Sequence, residues 1–142
     1  MELPSSLLMF ISYRHAESRI VGHLRAHGFD DLTVAQVRLA ARIGEGGTRV
    51  TELAEQAQVT KQTAGFLVSQ LERTGYVERV PDPSDARARL VRLVARGKEA
   101  QACARQAERL VEAEWEQHLG PRRMRALREA LTELREITDP YA

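Results

Sequence analysis

The chain has 142 residues, 43% of them hydrophobic, with a formal net charge of +1 and a single cysteine. That is one domain's worth of sequence with enough apolar material for a core, and an intrachain disulfide is excluded. No apolar run approaches the ~18 residues needed to cross a bilayer, and Leu7-Leu8-Met9-Phe10-Ile11 is short and lacks a preceding basic residue, so neither a membrane span nor an export leader is expected and the cytoplasm is the expected compartment.

In chain order, Ser5 or Ser6 is expected to cap a first helix running to about His27, ahead of Gly28. Thr33-x-x-Gln36 is a capping box for a shorter helix to about Ile43, before Gly44 and Gly46-Gly47. Thr48-Arg49-Val50 reads as a short strand. Thr51 then offers a cap for a helix carrying Leu53, Ala54 and Ala57, which pauses at Gln58-Val59 before Thr60 offers another. From Lys61, the residues Ala64, Leu67, Val68 and Leu71 fall at i, i+3, i+4 and i+7, while Lys61, Gln62, Phe66, Ser69, Gln70 and Arg73 lie off that stripe. Gly75 stands where a C′ glycine would end the helix, and Tyr76-Val77-Glu78-Arg79-Val80 alternates like a strand. Pro81 to Asp85 reads as a turn, and Arg87, Arg89 and Arg92 punctuate a returning strand to Val94. After Gly97 a helix is expected to about Leu119, broken by Gly120-Pro121. In the last helix Met124, Leu127, Leu131 and Leu134 step by three and four, a narrow seam that wants a partner.

Two short helices across a tight turn, followed by a basic β-ribbon, suit a duplex. A major groove about 12 Å wide admits one α-helix, whose N-terminal polar residues meet base edges. Lys61, Gln62 and Thr63 are so placed, with Thr60 as cap and Phe66, Ser69 and Gln70 further along. Gln pairs with adenine, Lys reaches guanine or phosphate, and Thr63 meets a phosphate or a thymine methyl. Arg87 at the ribbon tip suits a narrow minor groove, with Arg89 beside it. Asp85 would repel phosphate if free, so it is expected to hold a wing arginine through a charge-assisted bond. The small net charge conceals an asymmetry, because Lys61 to Lys98 holds eight basic and four acidic residues. That segment is +4 and the remainder −3, a footprint predicting binding that weakens steeply with salt.

Leu32-Thr33-x-x-Gln36, Leu53-Ala54, Thr60-Lys61-Gln62-Thr63, Leu71-Glu72-x-x-Gly75-Tyr76-Val77-x-Arg79 and Asp82-Pro83-x-Asp85-x-Arg87-Ala88-Arg89-x-Val91-x-Leu93 together resemble the MarR family of bacterial transcription regulators. The resemblance covers nearly the whole chain, and the wing motif is its most specific part. It implies a mainly α fold with a small β-wing: a winged helix-turn-helix lobe (31–97) between flanking dimerisation helices (1–30 and 98–142). It further implies a homodimer on double-stranded DNA and a small, often phenolic, effector between the lobes, in a cleft lined by the first, second and fifth helices. Gly65 and Phe66 stand where the family more often has polar or basic residues, so base preferences do not carry over there. Val94 replaces the threonine that usually caps the helix after the wing.

Dimerisation is assigned to Leu7, Leu8, Ile11, Met124, Leu127, Leu131 and Leu134. A two-fold dimer would set its recognition helices about one DNA turn apart, roughly 34 Å, on a pseudo-palindromic operator. Tyr13, His15 and Trp115 are candidate effector contacts, or else ordinary interface core. Phe66 either meets a thymine methyl or tucks against the neighbouring helix. Cys103 sits among Ala100, Ala104 and Ala107 and reads as a small core residue. His23 and His27 are four apart, with His15 two turns earlier, but no further ligand is adjacent in sequence, so neither a metal nor another cofactor is expected. No phosphate loop, paired metal-ligand motif or serine elbow suggests an enzyme. The competing readings are a winged helix serving protein contacts alone, and a redox- or metal-responsive regulator of the same fold.

Overall fold

The computed structural model describes residues 1–141. Its elements are α1 (Ser5–Ala26), α2 (Val34–Ala40), β1 (Thr48–Arg49), α3 (Val50–Ala57), α4 (Lys61–Arg73), β2 (Val77–Asp82), β3 (Asp85–Leu93), α5 (Ala95–Leu119) and α6 (Pro121–Thr138). The expected mainly helical architecture with a small antiparallel wing is what forms, the strands lying in the order β1-β3-β2.

The apolar stripe of α4 is the reason the lobe closes. Ala64, Leu67, Val68 and Leu71 are all buried, against Leu39 of α2, Leu53 and Ala54 of α3, and Val91 of β3. Burying a leucine of this kind contributes about 1.5–3 kcal/mol, so the four helical positions alone give α4 its place against the core. Leu24 of α1 and Ala100 and Cys103 of α5 join the same cluster, so the long helices and the lobe share one core.

Local signals set the ends. Thr33 Oγ1 accepts the Gln36 amide while Gln36 Oε1 accepts the Thr33 amide, completing the capping box of α2. Thr60 accepts the Thr63 amide at 3.0 Å and caps α4. At its other end Gly75, with φ +83°, closes a Schellman motif: the Tyr76 amide donates to Leu71 and that of Gly75 to Glu72.

Several boundaries differ from the sequence reading. α1 begins at Ser5 behind Pro4, without a side-chain cap, because the Pro4 carbonyl already takes the Leu7 and Leu8 amides. α2 stops at Ala40 instead of Ile43, where shorter-range bonds from Arg42 to Leu39 and Ile43 to Ala40 tighten the chain. Thr51 caps nothing: β1 has only two residues, and α3 starts at Val50 directly behind Arg49. The turn expected over Pro81 to Asp85 shrinks to Pro83-Ser84, since strand pairing continues to Asp82↔Asp85, with an irregularity at Pro81/Asp82. α5 starts at Ala95, before Gly97, because the Val94 amide donates back to Tyr76 and ends the wing there. Val94 supplies no side-chain cap. Gly97 therefore lies inside the first turn, where a β-carbon would stand 2.2 Å from the Tyr76 carbonyl oxygen.

Candidate nucleic-acid interface

The N-terminal turn of α4 is open. Lys61, Gln62 and Thr63 are exposed, and neither Lys61 nor Gln62 is engaged by another side chain among the described residues. Their position follows from the fold: with Ala64, Leu67, Val68 and Leu71 buried, the opposite face and the capped first turn must point away from the core. Phe66 is 61% exposed and so does not tuck against the neighbouring helix.

Ser69 and Gln70 are placed differently. Ser69 Oγ accepts from Arg79 at 3.2 Å, and Gln70 Oε1 accepts from Gln36 Nε2 at 3.0 Å. Both are half-buried and committed to neighbouring elements. The sequence could not separate them from Lys61 and Gln62, because all four lie off the apolar stripe and the tertiary partners of Ser69 and Gln70 lie on other elements.

The wing is held by Asp82. Its buried carboxylate pairs with Arg49 of β1 at 2.7 Å and accepts both the amide and hydroxyl of Ser84, at 2.8 and 2.7 Å. Asp85, assigned that role from sequence, instead accepts the Arg87 amide at 3.0 Å and holds no guanidinium among the described residues. It shapes the backbone of the tip while leaving the arginine side chains loose. The missed residue had a signal, because an Asp two positions before a Ser in a turn is an Asx arrangement; its distant partner Arg49 had none.

Ser84 and Arg49, donating to the carboxylate, push the Asp82 pKa down to about 2 from its ordinary 3.8. A depressed folded-state value means that the stabilisation is present above about 4 and is lost as pH falls toward 2. Asp82→Asn should reproduce the acid state at neutral pH. Amide exchange across Pro81 to Arg87 is expected to quicken while that of α4 stays slow; equal protection in both proteins would deny Asp82 this role.

Intramolecular pairing also sorts the charges. Arg79 pairs with Glu72, Arg92 with Glu78 and Arg96 with Asp31, consuming acids and bases alike. Lys61, Arg73, Arg87, Arg89 and Lys98 remain without ion-pair partners among the described residues, and Arg87 and Arg89 are exposed on the wing. The positive field is therefore carried by the α4 face and the ribbon.

A cleft of about 160 Å³ is lined by Leu24 of α1, Val37 and Ala40 of α2 with Ala41 just beyond it, Leu71 of α4, Leu93 of β3, and Ala100, Ala104, Arg105 and Glu108 of α5. Helices α1, α2 and α5 all contribute to it, and Tyr76 and Gly97 form part of its wall. Tyr76 donates its hydroxyl to Asp31, and Arg96 stacks 4.3 Å over the same ring. Burial and the Asp31 carboxylate together raise the tyrosine pKa, keeping it a neutral donor.

Tyr13, His15 and Trp115 line no part of this cleft, and they do not come together. Tyr13 and Trp115 share a separate apolar groove of about 650 Å³ with Leu8, Leu127 and Leu131, whereas His15 opens onto a depression between α1 and Val34. Their aromatic character alone could not distinguish a ligand wall from an interface. Leu7, Leu8, Ile11, Leu131 and Leu134 are exposed, whereas Met124 is buried within the chain and Leu127 partly so.

The MarR family model matches residues 30–88, which run from the loop before α2 to the tip of the wing. A solved MarR structure shares 27% identity over 94% of this chain and 96% of its own, with a TM-score of 0.77. Over residues 30–88 the chain matches the MarR family, and its whole fold follows that of solved MarR regulators. A transcriptional regulator from Thermotoga maritima is 27% identical, with coverages of 94% and 92% and a TM-score of 0.65. The apo form of wild-type MarR from E. coli, 21% identical, superposes at a TM-score of 0.77 over 94% and 98% of the two chains. No curated protein matches the sequence. These matches support a winged-helix, DNA-binding transcription regulator of the MarR type. No helix among the described residues is long and apolar enough to cross a membrane.

Proposed function

We propose that the chain is a homodimeric repressor that binds a pseudo-palindromic operator and leaves it when a small aromatic acid enters the cleft. The observation that carries the reading is that Lys61 and Gln62 on the capped turn and Arg87 and Arg89 on the ribbon are exposed and without side-chain partners among the described residues, while Arg79, Arg92 and Arg96 nearby are paired. Base contacts by the turn specify, and the ribbon arginines anchor.

The dimer is supported by Leu7, Leu8, Met9, Phe10 and Ile11 of α1 and Leu131 and Leu134 of α6, apolar residues that one chain leaves in water. In this reading 1–30 and 98–142 dimerise and 31–97 read DNA. The cleft supports the effector: its walls are apolar, and Arg105 at its edge offers a carboxylate its counter-charge. A ligand there touches Leu71 at the C-terminal end of α4 together with Tyr76 and Ala100, so it biases the angle between recognition helix and α5. It lowers operator affinity only by its differential affinity for the two spacings.

The test is selection of the purified protein from a random duplex library, followed by titration of the selected site with aromatic acids. Enrichment of a two-fold symmetric sequence supports the dimeric reader, and ligand-dependent release supports the effector. A protein-contact module enriches no sequence, and symmetric binding indifferent to every aromatic acid would remove the effector clause alone.

A further inference from the structure

The contact between α1 and α5 carries a cluster that the functional reading does not use. His23 and His27 are one turn apart on α1, and packing of α1 on α5 brings Cys103 against them. One ligand atom from each of the three lies within 4.8 Å of the others. The sequence reading found no third ligand near these histidines; Cys103 supplies it from a distant helix, and His15 takes no part.

Three details separate this from a chance meeting of polar residues. His23 Nε2 is buried with no hydrogen-bond partner among the described residues, an orphan of the kind that ordinarily costs stability. His27 Nδ1 lies 2.8 Å from the His23 carbonyl, which only accepts, so the ring must donate from Nδ1. In the neutral ring this places the proton on Nδ1 and leaves the Nε2 lone pair free, the usual outer-shell arrangement of a metal-bound histidine. The two rings lie against each other, with centroids 4.1 Å apart and planes tilted by 34°, and each offers a ligand atom within 4.8 Å of the other's and of the thiol. Cys103 itself is buried, and burial raises its thiol pKa, which makes it a poor free nucleophile or redox sensor.

We infer that His23, His27 and Cys103 form a binding site for a thiophilic divalent ion of the Zn²⁺ class, clamping α1 to α5. Two imidazoles and a thiolate suit Zn²⁺ and exclude Mg²⁺ and Ca²⁺, which take oxygen ligands. Bonds of about 2.0–2.1 Å to nitrogen and 2.3 Å to sulfur put tetrahedral ligands roughly 3.5 Å apart. The present spread of at most 4.8 Å closes to that distance by small shifts of the three side chains. Three protein ligands leave a fourth position for water, reached from the small cleft beside His23 and Gly22. Binding displaces the Cys103 proton to solvent and involves no change of oxidation state.

The neighbours of the ligands give the site a consequence. Leu24 follows His23, and Ala100 and Ala104 flank Cys103; all three line the cleft behind the recognition helix. A bound ion therefore fixes one wall of that cleft. Any effect on operator affinity rests on the DNA-binding reading, but the ion site does not.

The experiment titrates the full-length protein with Co²⁺ as a spectroscopic probe, then with competing Zn²⁺. One Co²⁺ per chain is expected, with a thiolate-to-cobalt charge-transfer band and the intense visible bands of four-coordinate cobalt, both lost on adding Zn²⁺. Cys103→Ser should abolish the charge-transfer band, and His27→Gln, at an exposed position that leaves the core intact, should weaken binding at least tenfold. Thermal melts of the apo proteins establish that both variants fold. Absence of the charge-transfer band in the wild type, or Co²⁺ affinity unchanged in folded His27→Gln, would overturn the site whatever the protein does on DNA. Operator affinity with and without Zn²⁺ is then measured separately.

Discussion

Replacing Gly97 by alanine should lower the unfolding midpoint by about 10 °C. An added β-carbon would stand 2.2 Å from the Tyr76 carbonyl oxygen and 2.9 Å from Leu93 Cδ2. The first of these neighbours is backbone, which cannot rotate away. It is also bonded, because the Tyr76 carbonyl accepts the Val94 amide that closes the wing. Relief therefore requires α5 to move off the sheet, and overpacking of this kind costs about 1–3 kcal/mol, here at the upper end. For a chain of this size 1 kcal/mol moves the midpoint by roughly 3–4 °C. The displaced groups also line the cleft, so the variant should alter ligand response even where it remains folded. Calorimetry at fixed protein concentration checks the prediction, and Gly46→Ala, with nothing within 4 Å of its added carbon, is the matched control. Equal midpoints for the two would show that α5 has slack against the wing.

That position also shows where the sequence stops being legible. A glycine near the start of a helical pattern reads as a boundary, and the reading duly placed the helix after Gly97. Its actual role, a close approach of two backbones, depends on packing between elements and leaves no local trace. The helix-turn-helix itself was legible because its signals are short-range: a capping threonine, a stripe at i, i+3, i+4 and i+7, and a glycine in the left-handed region at φ +83°. Those features act over one or two turns, within the reach of periodicity.

The site divides in the same way. Lys61, Gln62, Arg87 and Arg89 are legible in the motif and have no side-chain partner among the described residues, whereas Thr63 is exposed but bonded to the cap Thr60. Asp85 was misassigned and Asp82 missed because the choice between two acids in one turn is made by Arg49, which arrives from another strand. Tyr13 and Trp115 stay open between effector contact and interface core in the sequence, because an aromatic ring suits a cleft and an interface equally. Cys103 and the two histidines were each read singly as bland. Only the α1–α5 contact makes them a group.

Separating anchor from reader should give two unlike losses of DNA binding. Arg87 is exposed on the ribbon, its amide fixed by Asp85 and its guanidinium without an ion-pair partner among the described residues. In the proposed complex it meets phosphate or the minor groove. Arg87→Ala should then weaken specific and non-specific duplexes together and reduce the salt slope by about 1 per protomer, hence about 2 for a dimer. Gln62 is different: it is uncharged, exposed on the first turn of α4, and able to make a paired contact to one base. Gln62→Ala should leave non-specific binding and the salt slope unchanged while relaxing preference at one position in each half-site. The loss should be about 1–3 kcal/mol per contact, roughly tenfold to a hundredfold in discrimination. Competition titrations of the selected site against single-base variants, run at two or more salt concentrations, separate the two patterns. If Arg87→Ala changes sequence preference without changing the salt slope, the ribbon reads bases and the division of labour proposed here is reversed. If neither substitution alters binding, this lobe does not meet DNA through α4 and the wing, and the free Lys61, Arg73, Arg87 and Arg89 would have to serve an acidic protein partner.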